Sequence, residues 1–293
     1  MRLRRLGEKE RNDYFYGYNF TMGVKEFLEL FIRELEINTN LRGYYRLLNN
    51  NNRFWWRKAY LEQRLEYVNA RLGNTPCRIW DAGCGYGTTA LFACLNGHQV
   101  HGSTLEFYFD QIQQRLEYWR GYGNLAAFHI EYENIFDRPV VSNSFDVVLA
   151  QDTLHHLEPI GDAVNLFNHA LVAGGRLIVS EENGNNLFIR GKNFAIRGFH
   201  RVGEYYDEKL EKLILFGNEN ARSLAQWREI LGKQDFAIQE EHIAYIRMLP
   251  PQLFKGTNYH SLITHEQQLW KKQALLRELL FFGINFTAIK TNL

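Results

Sequence analysis

Between Arg78 and Gly87 the chain reads Arg-Ile-Trp-Asp-Ala-Gly-Cys-Gly-Tyr-Gly, an apolar run that ends in Asp81 and in glycines at 83, 85 and 87. Alternating glycines let the main chain turn sharply and let a ligand lie against backbone without meeting side chains. A helix starting behind such a turn offers free N–H groups, and a carboxylate at the strand end can accept hydrogen bonds from a ligand ammonium. His155 and His156 form a second chemical pair, since imidazole titrates near neutrality and can take a proton from an acceptor, His155 being the first choice. The other reading is that one of the pair packs against the sheet. Asp152, Glu181 and Glu182 fall at predicted strand ends on the same rim. Tyr14, Tyr16 and Tyr18 could stack around a cationic ligand or simply pack on the surface. From Leu187 to Val202 the bases Arg190, Lys192, Arg197 and Arg201 interleave with apolar residues, and no acid intervenes. That pattern suits an amphipathic surface meeting a lipid-like or anionic substrate, or a solvated cap over a pocket.

These groups need elements to hold them. Trp56, Tyr60, Leu65, Val68 and Leu72 recur at roughly helical spacing, so a helix is predicted over 53–72. Residues 1–76 read as a mostly helical extension. From Cys77 the period changes, and strands over 77–83, 99–106, 124–136, 145–152 and 175–182 alternate with helices over 88–97, 109–123 and 160–171. Such alternation predicts a parallel sheet covered by helices on both faces, with right-handed connections. The glycine-punctuated stretch 187–222 breaks the alternation and reads as a cap insertion. A helix over 225–231 and a strand over 236–246 resume it. Thr264 and Gln267 have capping-box spacing ahead of a helix through Leu280, and 282–290 supplies the last strand. The expected architecture is an α/β, Rossmann-like, seven-stranded sheet at 77–186, completed by 223–293.

The 78–87 stretch resembles the first motif of the class I S-adenosylmethionine (SAM)-dependent methyltransferases, commonly (V/I)-L-D-x-G-C-G-x-G, with Trp80 in place of a small aliphatic residue. A nicotinamide-binding loop would read G-x-G-x-x-G, and Gly87 arrives one residue early for it. The resemblance implies that Asp81, Gly83, Cys84, Gly85 and Gly87 cradle the methionine half of SAM. In the tract Val100 to Glu106, Thr104 stands where the family usually has a ribose-binding acid, and Glu106 two residues on could supply that carboxylate or be a solvated helix-start acid. The Thr104-Leu105 pair is similar to the cyclopropane fatty-acid synthase and tocopherol methyltransferase subgroup, although Phe109 replaces that subgroup's glutamine. Phe128 to Ile135 resembles the third-strand motif, which implies an adenine-binding acid at Glu131, or at Glu133 with a small slip, followed by Asn134 and Ile135. Phe145 to Leu157, with Gln151 inside it, resembles the fourth-strand motif that borders the transferred methyl. Leu171-Val-Ala-Gly174-Gly175 resembles the turn before the fifth strand.

Composition narrows the class. With 45% hydrophobic and 23% charged residues, the chain reads as an ordinary globular protein. A net charge of +1 argues against a nucleic-acid coat, and no Asn/Asp-Pro-Pro-aromatic motif follows the fourth strand. Cys77, Cys84 and Cys94 lack zinc-ligand spacing, so no metal is expected. No run reaches the length of a membrane span, the N-terminus lacks a signal-like apolar stretch, and a cytoplasmic monomer or homodimer is expected. The expected activity is methylation of a small or medium-sized, hydrophobic or aromatic metabolite at an O, N or C atom. Tyr14, Tyr16, Tyr18, Glu182 and Arg197 are its candidate substrate contacts, with transient contact to a lipid-like substrate. The rivals are cyclopropanation of a lipid chain and SAM binding without catalysis.

Overall fold

The structure is a computed structural model that describes residues 22–106 and 109–291. Tyr14, Tyr16 and Tyr18 therefore lie outside the described residues. Three helices come first: α1 (Val24–Ile37), α2 (Thr39–Tyr45) and α3 (Asn51–Leu72). The α1 helix buries Phe27, Leu28, Phe31 and Leu35 completely, at the i, i+1, i+4, i+8 spacing of one helical face. The stripe packs against the helix that follows the glycine loop, and Phe27 meets Phe92 at 5.2 Å between ring centroids.

Five parallel strands form the body of the sheet: β1 (Arg78–Ala82), β2 (Gln99–Thr104), β3 (Phe128–Tyr132), β4 (Phe145–Gln151) and β5 (Leu171–Glu182). Their crossovers carry α4 (Thr88–Leu95), α5 (Gln111–Trp119) and α6 (Ile160–Ala170). In β1, Ile79 to Ala82 are all buried, as expected of a strand covered on both faces. After β5 come α7 (Leu187–Arg197) and a hairpin, β6 (Val202–Asp207) with β7 (Lys212–Gly217). Next are α8 (Leu224–Gly232), β8 (Phe236–Ile238), β9 (Ala244–Ile246), α9 (Tyr259–Lys272), α10 (Ala274–Leu280) and β10 (Gly283–Lys290). The strand order is β3-β2-β1-β4-β5-β10-β8, with β10 antiparallel between its neighbours and β9 also pairing β10. The fold is thus the expected α/β architecture with a mostly parallel sheet, which numbers eight strands because the 236–246 segment is divided. A 3-10 turn at Glu240–His242 separates its two pieces.

Two local expectations are corrected. The helix assigned to Thr264 begins earlier, at Tyr259, and Thr264 Oγ1 donates back to the His260 carbonyl at 3.1 Å. Such a bond is open to a hydroxyl inside a helix and caps nothing. The helix also breaks at Gln273 instead of running unbroken to Leu280. The capping box lies at Ser223 and Gln226, where each side chain meets the other residue's backbone N–H.

Candidate active site

At the C-terminal ends of β1, β2 and β4, a cavity of about 630 Å³ opens beside the glycine loop, the place where open α/β sheets bind ligands. Gly83, Gly85 and Gly87 all take positive φ, of 76°, 56° and 73°. The need for glycine at 85 is partly spatial. A Cβ there would stand in the cavity, with Tyr44 Oη at 3.3 Å as its nearest neighbour. The N–H groups of Gly83 and Cys84 are already given to the Ser103 carbonyl, at 2.9 and 3.0 Å, which ties the loop to β2. Gly87 lies behind the cavity wall as the N-cap of α4.

Asp81 is buried at the cavity floor, and its Oδ2 has no hydrogen-bond partner. Burial lifts its carboxyl to about 7, only partly offset by the guanidinium of Arg64. An orphaned acid facing a cavity is suited to a ligand cation. Thr104 and Glu106 line the next part of the wall, where Tyr44 donates its hydroxyl to Glu106 Oε1 at 2.9 Å. Asn134 and Ile135 close the wall beyond β3, and Gln151 receives the Thr89 hydroxyl at 2.6 Å.

Of the two acids offered for the adenine, Glu133 lines the cavity and Glu131 does not. Glu131 is largely exposed, and both acids reach Arg138 and His101, Glu133 more closely. The strand's alternation accounts for the difference: 131 and 133 share a side of the chain, and 133 lies past the end of β3 where the cavity begins. Glu133 is held by Ser103 Oγ at 2.5 Å and Arg138 Nη1 at 2.7 Å. Burial opposes its charge, yet these bonds hold the carboxyl below the usual range.

The two histidines are placed differently. His155 is buried, does not line the cavity, and meets Glu181 Oε2 through Nδ1 at 2.5 Å. Glu181 also accepts the N–H groups of Thr153 and Leu154, at 2.9 and 2.6 Å, so it fixes the whole turn. Burial opposes a charge on His155, but Glu181 and Asp152 outweigh it and raise the ring to about 9. His156 faces the cavity. Its Nδ1 lies 3.1 Å from the Gly217 carbonyl, which fixes a proton on Nδ1 and leaves Nε2 as an acceptor. Its place in the cleft and the charge on His155, 4.0 Å away between ring centroids, hold its pKa below the usual histidine value. Gly217 allows this approach, because a Cβ there would stand 2.4 Å from the His155 carbonyl. A ligand atom from each of His155, His156 and Glu219 falls within 4.8 Å of the others, but Lys192 sits 3.6 Å from Glu219.

Glu182 and Arg197 do not line the cavity. The remaining wall comes from residues the sequence reading passed over. Tyr44 and Tyr45 come from α2, Leu61 and Arg64 from α3, and Tyr205, Ile214 and Phe216 from the hairpin. Arg64 Nη1 pairs with Asp152 Oδ2 at 2.6 Å at the same mouth. Only the aromatic composition of these segments hinted at a wall, because contacts this distant in sequence leave no periodic trace.

Fold and site together define a Rossmann-like domain with a cavity at the switch point of its sheet. Residues 80–179 match a family described as methyltransferase domain. Ribosomal RNA large subunit methyltransferase G of Pseudomonas savastanoi pv. phaseolicola is 30% identical over 120 residues, 39% of this chain and 31% of that protein. This chain therefore spans about a third of that relative's length. Magnesium-protoporphyrin O-methyltransferase of a Synechocystis strain is 26% identical over 167 residues, 50% of this chain and 69% of that protein. A Haemonchus contortus phosphoethanolamine N-methyltransferase in complex with SAM shares the fold at a TM-score of 0.51 and 17% identity, over 78% of this chain and 53% of that one. Residues 80–179 thus carry a methyltransferase domain of the class I SAM-dependent fold, whose cofactor is SAM.

The cavity fits that group on its own geometry: an unpartnered buried acid at Asp81, backbone bared at Gly85, and a carboxylate at Glu106 at the end of β2. Asp81 would hold the amino-acid ammonium, Glu106 the ribose hydroxyls, and Glu133 to Ile135 the base.

Proposed function

We propose that this chain transfers a methyl group from SAM to a proton-bearing oxygen or nitrogen of a medium-sized apolar metabolite, with His156 as the base. When bound, SAM supplies a methyl on a sulfonium, a centre that needs alignment and a dry site more than activation. The observation that carries the reading is His156 itself, which lines the cavity and is tied through Nδ1 to Gly217, leaving Nε2 as the acceptor. His155, charged and anchored to Glu181, positions its neighbour and keeps it neutral. Tyr205, Ile214 and Phe216 give the acceptor side an apolar wall and exclude water. The Synechocystis relative is described as a magnesium-protoporphyrin O-methyltransferase, which supports an oxygen acceptor. The overall charge of +1 supports a small molecule over RNA. Among the described residues no helix is long and apolar enough to cross a membrane, and we place the enzyme in the cytoplasm.

The test uses His156→Asn. Turnover on a found acceptor should fall about 10²–10⁴-fold, while calorimetry gives unchanged SAM affinity. Turnover near wild type at every pH would leave alignment and desolvation as the whole of the catalysis.

A further inference from the structure

The surface of the 187–217 segment is unlike the rest of the molecule. Among the described residues, ten of the sixteen exposed large hydrophobic side chains fall between Leu187 and Leu215. Exposed apolar side chains scattered singly need no explanation, but a concentration of them marks an interaction surface. On α7 and the turn behind it, Phe188, Phe194 and Phe199 are exposed, Phe199 to 89%. Phe194 and Phe199 meet edge to face at 5.3 Å.

The hairpin shows the same bias, sorted by its pleat. In the β6–β7 register Tyr205 opposes Ile214 and Gly203 opposes Phe216, and that face supplies the apolar wall of the cavity. The alternate residues lie on the opposite face. There Val202, Tyr206, Leu213 and Leu215 are more than half exposed, Leu215 also reaching the cavity edge. One thin ribbon thus has an apolar inner face toward the cavity and an apolar outer face toward solvent. It is held in place by Tyr132, whose hydroxyl donates to Asp207 Oδ2 at 2.6 Å, and by Asn218 N–H, which donates to the Arg201 carbonyl at 2.8 Å.

Charge selects the occupant. Arg190 and Arg201 are exposed beside these rings; no Asp or Glu occurs from Asn183 to Gly203, and Glu204 is the one acid on the hairpin's outer face. A second copy of this chain would bring the same positive charge against it, whereas an anionic bilayer supplies headgroup phosphates for the arginines and an acyl boundary for the rings. We propose that α7 and the outer face of the β6–β7 hairpin seat the protein on an anionic lipid surface, with the cavity mouth beside the headgroups. Rings enter the interface while long basic side chains reach the phosphates. Nothing in the docking requires methyl transfer, so it stands or falls apart from the reading of the cavity.

The full-length protein should co-sediment with phosphatidylcholine–phosphatidylglycerol vesicles and not with phosphatidylcholine alone, and added salt should weaken the binding. Phe194→Ser with Phe199→Ser, and separately Arg190→Glu with Arg201→Glu, should each reduce the bound fraction about tenfold. Melting temperature and calorimetric SAM affinity, read on the same samples, should stay at wild-type values and show that fold and cavity are intact. Wild-type protein that binds neither vesicle, or variants that bind as well as wild type, would overturn the proposal. So would a dimer in sedimentation equilibrium that the serine pair dissociates in the absence of lipid.

Discussion

At the scale of single residues, the site is governed by which ionised groups have partners. Asp81 has none on Oδ2, and its carboxyl titrates near 7 instead of near 4. A ligand ammonium needs the ionised form, so SAM affinity should fall as pH drops from about 7 toward about 5.5. In Asp81→Asn the affinity should be weak and flat over that window. Calorimetry at several pH values decides it, and a flat wild-type profile would place the ammonium elsewhere. His155 is the opposite case, a group whose folded pKa is raised to about 9 by Glu181 and Asp152 against the opposing effect of burial. Its contribution to stability is complete below the unfolded value near 6.5 and is lost as pH rises through about 9. His155→Asn leaves Glu181 with a buried charge and only backbone partners, and should cost about 3 kcal/mol near pH 6. The gap to wild type in urea titrations should shrink toward pH 9. A gap that widened with pH would mean that His155 is neutral in the folded protein.

At the scale of elements, the glycine loop is braced from behind by an ion pair. Arg115 of α5 is fully buried, gives Nε and Nη2 to Glu34 of α1 at 2.8 Å each, and gives Nη1 to the Tyr86 carbonyl and Thr88 Oγ1. Arg115→Met should destabilise the fold by about 3–5 kcal/mol, because Glu34 would keep a buried, unpaired charge. It should also weaken SAM binding, since Tyr86 lies inside the loop. A second variant, Glu34→Gln with Arg115→Met, should recover much of the stability, and a double variant no better than the single would discount the pair. Elements of this kind divide by how legible they were in the sequence. The 78–87 loop was readable because turn, strand end and helix start are local and each demands particular residues. The placement of Glu133, and not Glu131, on the cavity wall was not, because it depends on where β3 ends. That His156 and not His155 lines the cavity was also hidden. It rests on Glu181 and Gly217, 26 and 61 residues away in sequence, and no spacing along the chain announces either contact. The capping box was misplaced for a related reason: Thr264 and Gln267 satisfy the pattern, but packing begins the helix five residues earlier.

At the scale of the whole molecule, the N-terminal helices complete the core. Phe27, Leu28, Phe31 and Leu35 are fully buried in the same apolar cluster as Leu91, Phe92 and Trp119. A chain beginning at residue 77 would bare that cluster and lose the Arg64 and Tyr44 parts of the cavity. Expressed alone it should aggregate or bind a hydrophobic dye strongly. A monomeric, cooperatively melting 77–293 fragment would show that the helices are an accessory. The β6–β7 hairpin has a different consequence for the molecule. Because its side chains alternate between two faces, neighbouring codons answer to different demands: Tyr205 and Ile214 to the shape of the acceptor, Tyr206 and Leu213 to whatever lies outside. If the inner face shapes the acceptor site and the outer face meets lipid, substrate preference and placement can drift independently, one residue out of phase, within a ribbon of twelve paired positions.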